Sequence, residues 1–185
     1  MNTIVVEPEI YSEADLEQLS AQGARFELVR GELKPMSPAG ADHGNATMEL
    51  SGLVLAYVLS NNLGKTFAAE TGFIVEEDPH TILAPDFAFI VRERVPDPIP
   101  RGFMPVVPDL VLETRSPGDT AREVAAKVEL WLEVGAREVW ELNPRRQVLT
   151  VYRPNAEPLA LTAADTLQSA ELLPGFSLKL SLILR

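Results

Sequence analysis

An apolar strand that ends on a carboxylate and leads into a helix with one charge on its apolar side limits what this chain can fold into. Leu110-Val111-Leu112 runs into Glu113, and Ser116-Pro117-Gly118 turns the chain toward a helical pattern. At roughly 100° per residue from Val124, the side chains of Val128, Leu130, Trp131, Leu132 and Val134 form one broad apolar arc, the side a helix turns to a core. Lys127 falls inside that arc, between Val134 and Trp131, whereas Arg122, Glu129 and Glu133 lie opposite. A lysine so placed either snorkels to water or meets a carboxylate. Glu113 is one candidate partner. A second acid, Asp86, interrupts the apolar strand Ala84-Pro85-Asp86-Phe87-Ala88-Phe89-Ile90-Val91, so two acids and one lysine are expected to converge at the edge of a sheet.

The other segments place this unit in a larger fold. Residues 3–6 read as a short strand, and Ser12 with Glu13, Asp15 and Glu17 reads as a helix start, with the helix ending near Gly23. Residues 25–33 alternate with a two-residue period around a glycine-containing turn, the mark of a hairpin, and residues 35–40 form a loop. Residues 42–61 give a long helix with Leu50, Leu53, Val54, Tyr57 and Val58 on one face. His43 projects on the same side as Leu50, either as a packing or capping residue or as a neighbour of the acids. Residues 66–76 and 82–91 read as an antiparallel pair joined at Glu77-Asp78-Pro79-His80. Glu70 then sits in the first strand among Phe67, Phe73 and Ile74, and needs a partner if it points inward. Residues 92–108 hold five of the 15 prolines and read as a long loop. Two further strands, 137–142 and 147–153, come after the central helix, and the tail with its alternating Leu178, Leu180, Leu182 and Leu184 reads as a final packing segment. The element order predicts an α+β or α/β fold with a mixed central sheet. All of residues 1–185 are expected to form one domain, with a core at about 42–153.

Composition narrows the chemistry. The chain has no cysteine and only two histidines, which excludes disulfides and thiolate metal sites and makes zinc a poor expectation. Any metal site would use the oxygen ligands that suit magnesium or manganese. No apolar run approaches the roughly 20 residues of a membrane span, and the start of the chain lacks a signal peptide's basic residues, so a soluble cytoplasmic protein is expected. With 16 basic and 27 acidic side chains the net charge is −11, a field that repels nucleic acid. Residues 101–155 hold 8 of each sign and are the least acidic part. No Gly-x-Ser-x-Gly turn and no phosphate-binding glycine loop occurs, which disfavours a serine hydrolase and a P-loop protein.

Several segments together resemble the Uma-two family of putative endonucleases, grouped with the restriction-endonuclease-like PD-(D/E)XK superfamily. They begin with Phe26-Glu27-Leu28-Val29-Arg30-Gly31-Glu32-Leu33, Ser37-Pro38, His43-Gly44 and Ala69-Glu70-Thr71-Gly72-Phe73. Ala84-Pro85-Asp86, Pro108-Asp109-Leu110-Val111-Leu112-Glu113 and the Lys127 helix come next, then Glu138-Val139-Trp140 and Leu173-Pro174-Gly175-Phe176. The resemblance implies a restriction-endonuclease-like core flanked by helices, with an extra N-terminal helix and hairpin. The superfamily pattern is an aspartate on one strand, then an acid, one residue and a lysine on the next. Here Pro85-Asp86 and Glu113 match the acids, but Arg115 stands where the lysine would be. The resemblance suggests that the lysine has moved to the following helix as Lys127, or that Arg115 fills its place without being able to act as a base.

In function, the resemblance implies a metal-dependent endonuclease acting on nucleic acid, with DNA foremost. Asp86 and Glu113 would hold Mg2+ or Mn2+, Lys127 would orient or help deprotonate the attacking water, and Glu70, His43 and Arg115 would be auxiliary. Two other readings stay open: a nuclease relic serving as a binding or regulatory module, and a magnesium-dependent hydrolase of a small phosphorylated substrate. The edge strands and the leucine alternation of the tail suggest a homodimer or higher even-numbered oligomer. The geometric expectation is that Asp86, Glu113 and Lys127 share one cleft, within the few ångströms of a common ion and its waters.

Overall fold

The computed structural model describes residues 10–185, so the strand expected at residues 3–6 lies outside the described residues. The chain opens with α1 (Glu13–Ala21), started by a capping box in which Ser12 and Asp15 satisfy each other's backbone N–H groups. The hairpin β1 (Phe26–Val29) and β2 (Glu32–Pro35) turns through Arg30 and Gly31, both at positive φ. Next come α2 (Ala41–Asn61), β3 (Gly64–Ala68), β4 (Phe73–Glu77), β5 (His80–Leu83) and β6 (Phe87–Val91). A connection with one short 3-10 turn leads to β7 (Leu110–Thr114), α3 (Ala121–Glu133), β8 (Glu138–Asn143) and β9 (Val148–Tyr152). Short strands β10 (Leu159–Leu161), β11 (Thr166–Leu167) and β12 (Leu178–Lys179) finish the chain.

The main sheet has the order β10-β9-β8-β7-β6-β3. Every neighbouring pair in it is antiparallel except β7 and β8, which run parallel because α3 carries the chain from the end of one to the start of the other. The alternation of strand side chains divides the core between two faces. Phe87, Phe89, Leu110, Leu112, Trp140 and Leu142 pack with Leu50, Val54 and Val58 of α2. Ala88, Ile90, Val111 and Val139 pack on the other face with Val128 and Trp131 of α3. Leu53, expected on the inner face of α2, is instead solvent-exposed.

The expected long antiparallel pair is not continuous. Each strand breaks in the middle, β3 pairing with β6 in the main sheet while β4 pairs with β5 in a second sheet of order β2-β1-β5-β4. The breaks fall at residues 69–72 and 84–86, where Pro85 has no N–H for a ladder and Gly72 lies so close to Phe103 that a β-carbon would sit 2.5 Å from its ring. Glu70 is consequently not in a strand: it occupies a positive-φ turn position, 54% exposed, and pairs with Arg25. The break has a second effect, since it sets Asp86 at the junction of the two sheets beside the end of β7.

The core also extends past residue 153. Leu161, Leu172, Leu173, Phe176, Leu178, Leu180 and Leu184 join the α2-side cluster. The tail leucines are therefore not the uncovered surface expected of them; of the four, only Leu182 remains exposed, at 56%. Leu180→Ala is expected to lower unfolding stability in urea by about 2–5 kcal/mol, and Leu182→Ala to change it by less than about 0.5 kcal/mol.

Candidate active site

Glu113 is the next-to-last residue of β7 and, by alternation with Leu112, faces α3. Lys127 and Trp131 stand four residues apart on that helix, one above the other. Together they hold both carboxylate oxygens of Glu113: the Trp131 indole N–H donates to Oε1 at 2.8 Å, and Lys127 Nζ lies 3.1 Å from Oε2. The helix itself starts at a second capping box, Thr120 with Glu123, which fixes the turn of chain between strand end and Lys127.

Lys127 has a second carboxylate partner. Glu27 of β1 places Oε1 3.1 Å from Nζ, and the same oxygen accepts the Ala84 backbone N–H at 2.8 Å. Thus the N-terminal hairpin, the break before β6 and α3 are tied at one point. Sequence reading named no role for Glu27. Its signal was the alternation itself: Phe26 and Leu28 pack in the small cluster with Leu16, which sends Glu27 and Val29 to the opposite side, where Val29 meets the α3-side core.

Asp86 lies on the other side of the β7 end. Its Oδ2 accepts the Thr114 backbone N–H at 2.7 Å and lies 3.1 Å from His43 Nε2. His43, on the first turn of α2, therefore sits beside an acid, and Thr47 one turn later donates to the Thr114 hydroxyl at 2.8 Å. Glu27, Asp86, Glu113, Lys127 and His43 all line one cavity of about 250 Å³, with Arg115, Asp119 and Glu123 at its walls. Of the residues singled out from sequence, Asp86, Glu113, Lys127, His43 and Arg115 are brought together here. Glu70 is not. Arg115 is turned toward β8, with Nε 3.5 Å from Glu141 Oε1, and Lys127 alone supplies an ammonium to the acids.

Crowding of like charges shows in the titration. Burial, with the nearby charges of Asp86 and Glu27, pushes the Glu113 carboxyl up to about 7 against the pull of Lys127. Burial alone would lower Lys127, but Glu113 and Glu27 outweigh it and hold the ammonium above its usual range. The two acids thus favour the charged form of Lys127, the form that orients a water, over the form that would take its proton. The hydrogen bond that His43 donates to Asp86 likewise raises His43 despite burial.

Among the described residues no three His, Cys, Asp or Glu side chains gather as a metal-holding group. Of the carboxylates that line the cleft, those of Glu27, Asp86, Glu113, Asp119 and Glu123, Asp86 and Glu113 flank the end of β7 as hard-oxygen donors. Two carboxylates suit magnesium, which keeps several waters and takes its remaining ligands from a phosphate. The raised Glu113 carboxyl is compatible with the same ion, because a cation would offset both the burial and the neighbouring acids that raise it.

The model of the Uma2 family, described as "Putative restriction endonuclease", matches residues 13–181. The chain belongs to the Uma2 family. No curated protein matches it by sequence. The crystal structure of a putative nuclease belonging to DUF820 from Anabaena variabilis ATCC 29413 is similar over 94% of this chain and 97% of its own, with a TM-score of 0.81 and 17% sequence identity. That likeness is one of fold: the Uma2 chain has the restriction-endonuclease-like arrangement expected from its sequence. No helix among the described residues is long and apolar enough to cross a membrane.

The titration has a consequence for stability. Because Glu113 binds its proton more tightly in the folded than in the unfolded chain, its contribution is fully present below the ordinary carboxylate range and is lost as pH rises through about 7. His43, also raised, acts in the same direction. Without divalent ions the melting temperature is expected to fall from pH 5 to pH 7.5, and Glu113→Gln to flatten most of that fall. A Glu113→Gln protein with the unaltered pH slope would contradict the assignment.

Proposed function

We propose that this protein is a metal-dependent nuclease that hydrolyses phosphodiester bonds of nucleic acid, with DNA as the expected polymer. The observation that carries the reading is Lys127, held 3.1 Å from both Glu113 and Glu27 in the cleft that Asp86 shares. Membership of a family described as restriction endonucleases supports it. Asp86 and Glu113 would hold a magnesium or manganese ion. When bound, the ion would neutralise the scissile phosphate and make a bound water more acidic.

The side chains divide the remaining work. Lys127, permanently charged, directs its N–H groups to the attacking water or a phosphate oxygen and balances the negative charge that grows in the transition state. It does not serve as the base, because its carboxylate partners keep the proton on Nζ. Glu27 and Trp131 are positioning residues: the first fixes the ammonium, the second fixes the Glu113 carboxylate. His43 holds Asp86 in place from the α2 side. Arg115, paired with Glu141, lies at the wall as an auxiliary cation for the phosphodiester. Glu70, paired with Arg25, is outside the cavity that holds Glu113 and Lys127 and lines the adjoining one with Asp86, so it is given no step in this reading.

The contrasting reading is an ion-pair cluster with no chemistry. Two substitutions separate them. In the nuclease, Glu113→Gln is expected to abolish magnesium binding by calorimetry and to lower cleavage of supercoiled and single-stranded DNA by about 10²–10⁴-fold. Lys127→Met is expected to lower cleavage to a similar degree while keeping much of the ion affinity. In a purely structural cluster, magnesium binding is absent throughout and either change costs about 3–5 kcal/mol by leaving a buried charge unpaired. Wild-type protein that neither binds magnesium nor cuts any of these substrates would refute the nuclease reading.

A further inference from the structure

The interior of α2 contains Gly44 and Gly52, although glycine is among the least favourable residues for a helix. Close approach of a neighbouring element, the usual reason for such a glycine, is missing. A β-carbon at Gly44 would meet nothing within 4 Å, and one at Gly52 would meet only the Met48 methyl at 3.8 Å. The space they leave open is part of a trough of about 630 Å³, walled by α2 on one side and the edge strand β3 on the other. Apolar side chains of Met48 and Leu55 rim it, with Met48 66% exposed.

This trough continues the candidate active site. Met36, Ser37, Ala39, His43, Ala84 and Asp86 line both cavities. His43 stands at the junction and is 7% exposed; Nε2 faces Asp86, while Nδ1 is buried with no hydrogen-bond partner. The combined cleft therefore carries Lys127 and its acids at one end and, in the trough, a mainly apolar wall with the exposed Arg25 and Glu70 pair at its edge. A nucleotide has the same two ends, a phosphate and the apolar faces of a base.

We infer that the trough receives an unstacked nucleobase next to the scissile phosphate, so that the preferred substrate is single-stranded or locally opened nucleic acid. The inference rests on the nuclease reading above and names its substrate class. Net charge points the same way. At −11 the protein is poorly equipped to draw affinity from many phosphate contacts, as duplex binders do. Packing a base against apolar side chains supplies affinity that does not depend on net charge, and the flexible Met48 thioether adapts to bases of different size. The volume lies in the range of small-molecule sites. A base inside a duplex reaches such a pocket only after leaving its stack.

The test uses three DNA probes: a single strand carrying 2-aminopurine, the same strand with abasic positions in place of bases, and the duplex. Binding is read by fluorescence and anisotropy with calcium replacing magnesium, and cleavage is read separately in magnesium. The single strand is expected to bind at least tenfold more tightly than either alternative. Gly52→Leu, which fills the trough and favours the helix, is expected to melt at or above the wild-type temperature while losing that preference. Met48→Asp, at an exposed position, is expected to lose it without added bulk. Equal binding of the three probes, or an undiminished preference in both folded variants, overturns the inference. Equal cleavage of all three would overturn the base site and leave the nuclease standing. Base-dependent binding with no cleavage of any probe would support the base site and overturn the nuclease.

Discussion

The half-buried ammonium of Lys127, shared between Glu113 and Glu27, is the interaction on which the arrangement of this molecule turns. It joins a strand of the N-terminal hairpin, the end of a central strand and the crossover helix, which are far apart in sequence. Removing either acid would leave a pair, but removing the lysine would leave Glu27 and Glu113 without their shared cation in a cavity that Asp86, Asp119 and Glu123 also line. Burial first, and then the charges of Asp86 and Glu27, raise the Glu113 carboxyl even with Lys127 present.

The supports around this charge cluster are conventional. Two capping boxes set where α1 and α3 begin, and a parallel strand pair bridged by α3 delivers Lys127 above the end of β7. The break in both long strands gives Asp86 a position off the ladder, where its carboxylate can accept the Thr114 N–H. At the far end of the sheet, Asp109 forms ion pairs with Arg94 and Arg137 and accepts the Val91 N–H. That acid is completely buried and balanced by cations and a donor, so it pins the sheet, in contrast to the carboxylates of the cleft, which stay partly open to solvent.

The charge of the whole chain and the charge of the cleft pull in opposite directions for a nuclease. A surface at −11 discourages long tracts of phosphate, while the cleft concentrates two metal-capable acids and a fixed ammonium. The apolar trough beside it reconciles the two, because affinity gathered from bases is indifferent to the net field.

Lys127, Glu113 and Asp86 were legible in the sequence because each violates a local period: a charge in a helical apolar arc, or an acid in an apolar strand. The helix start at Ser12, the hairpin turn and the strand-helix-strand order from β7 to β8 also rest on nearest-neighbour geometry, which a linear sequence encodes. Glu27 was not legible as a site residue, since alternation shows only that it lies opposite Phe26 and Leu28, and whether that side meets water or a lysine depends on how the hairpin docks against α3. Glu70 misled for the same reason: apolar neighbours suggested burial, but the chain leaves the sheet there and turns it to solvent. The tail leucines form the packing segment that their alternation suggested, and the core of α2 and the main sheet absorbs three of them, leaving little of the surface expected to drive association. Periodicity is a property of a segment and can be read from it; the environment of each face is set by contacts between distant segments, and only the tertiary structure decides those.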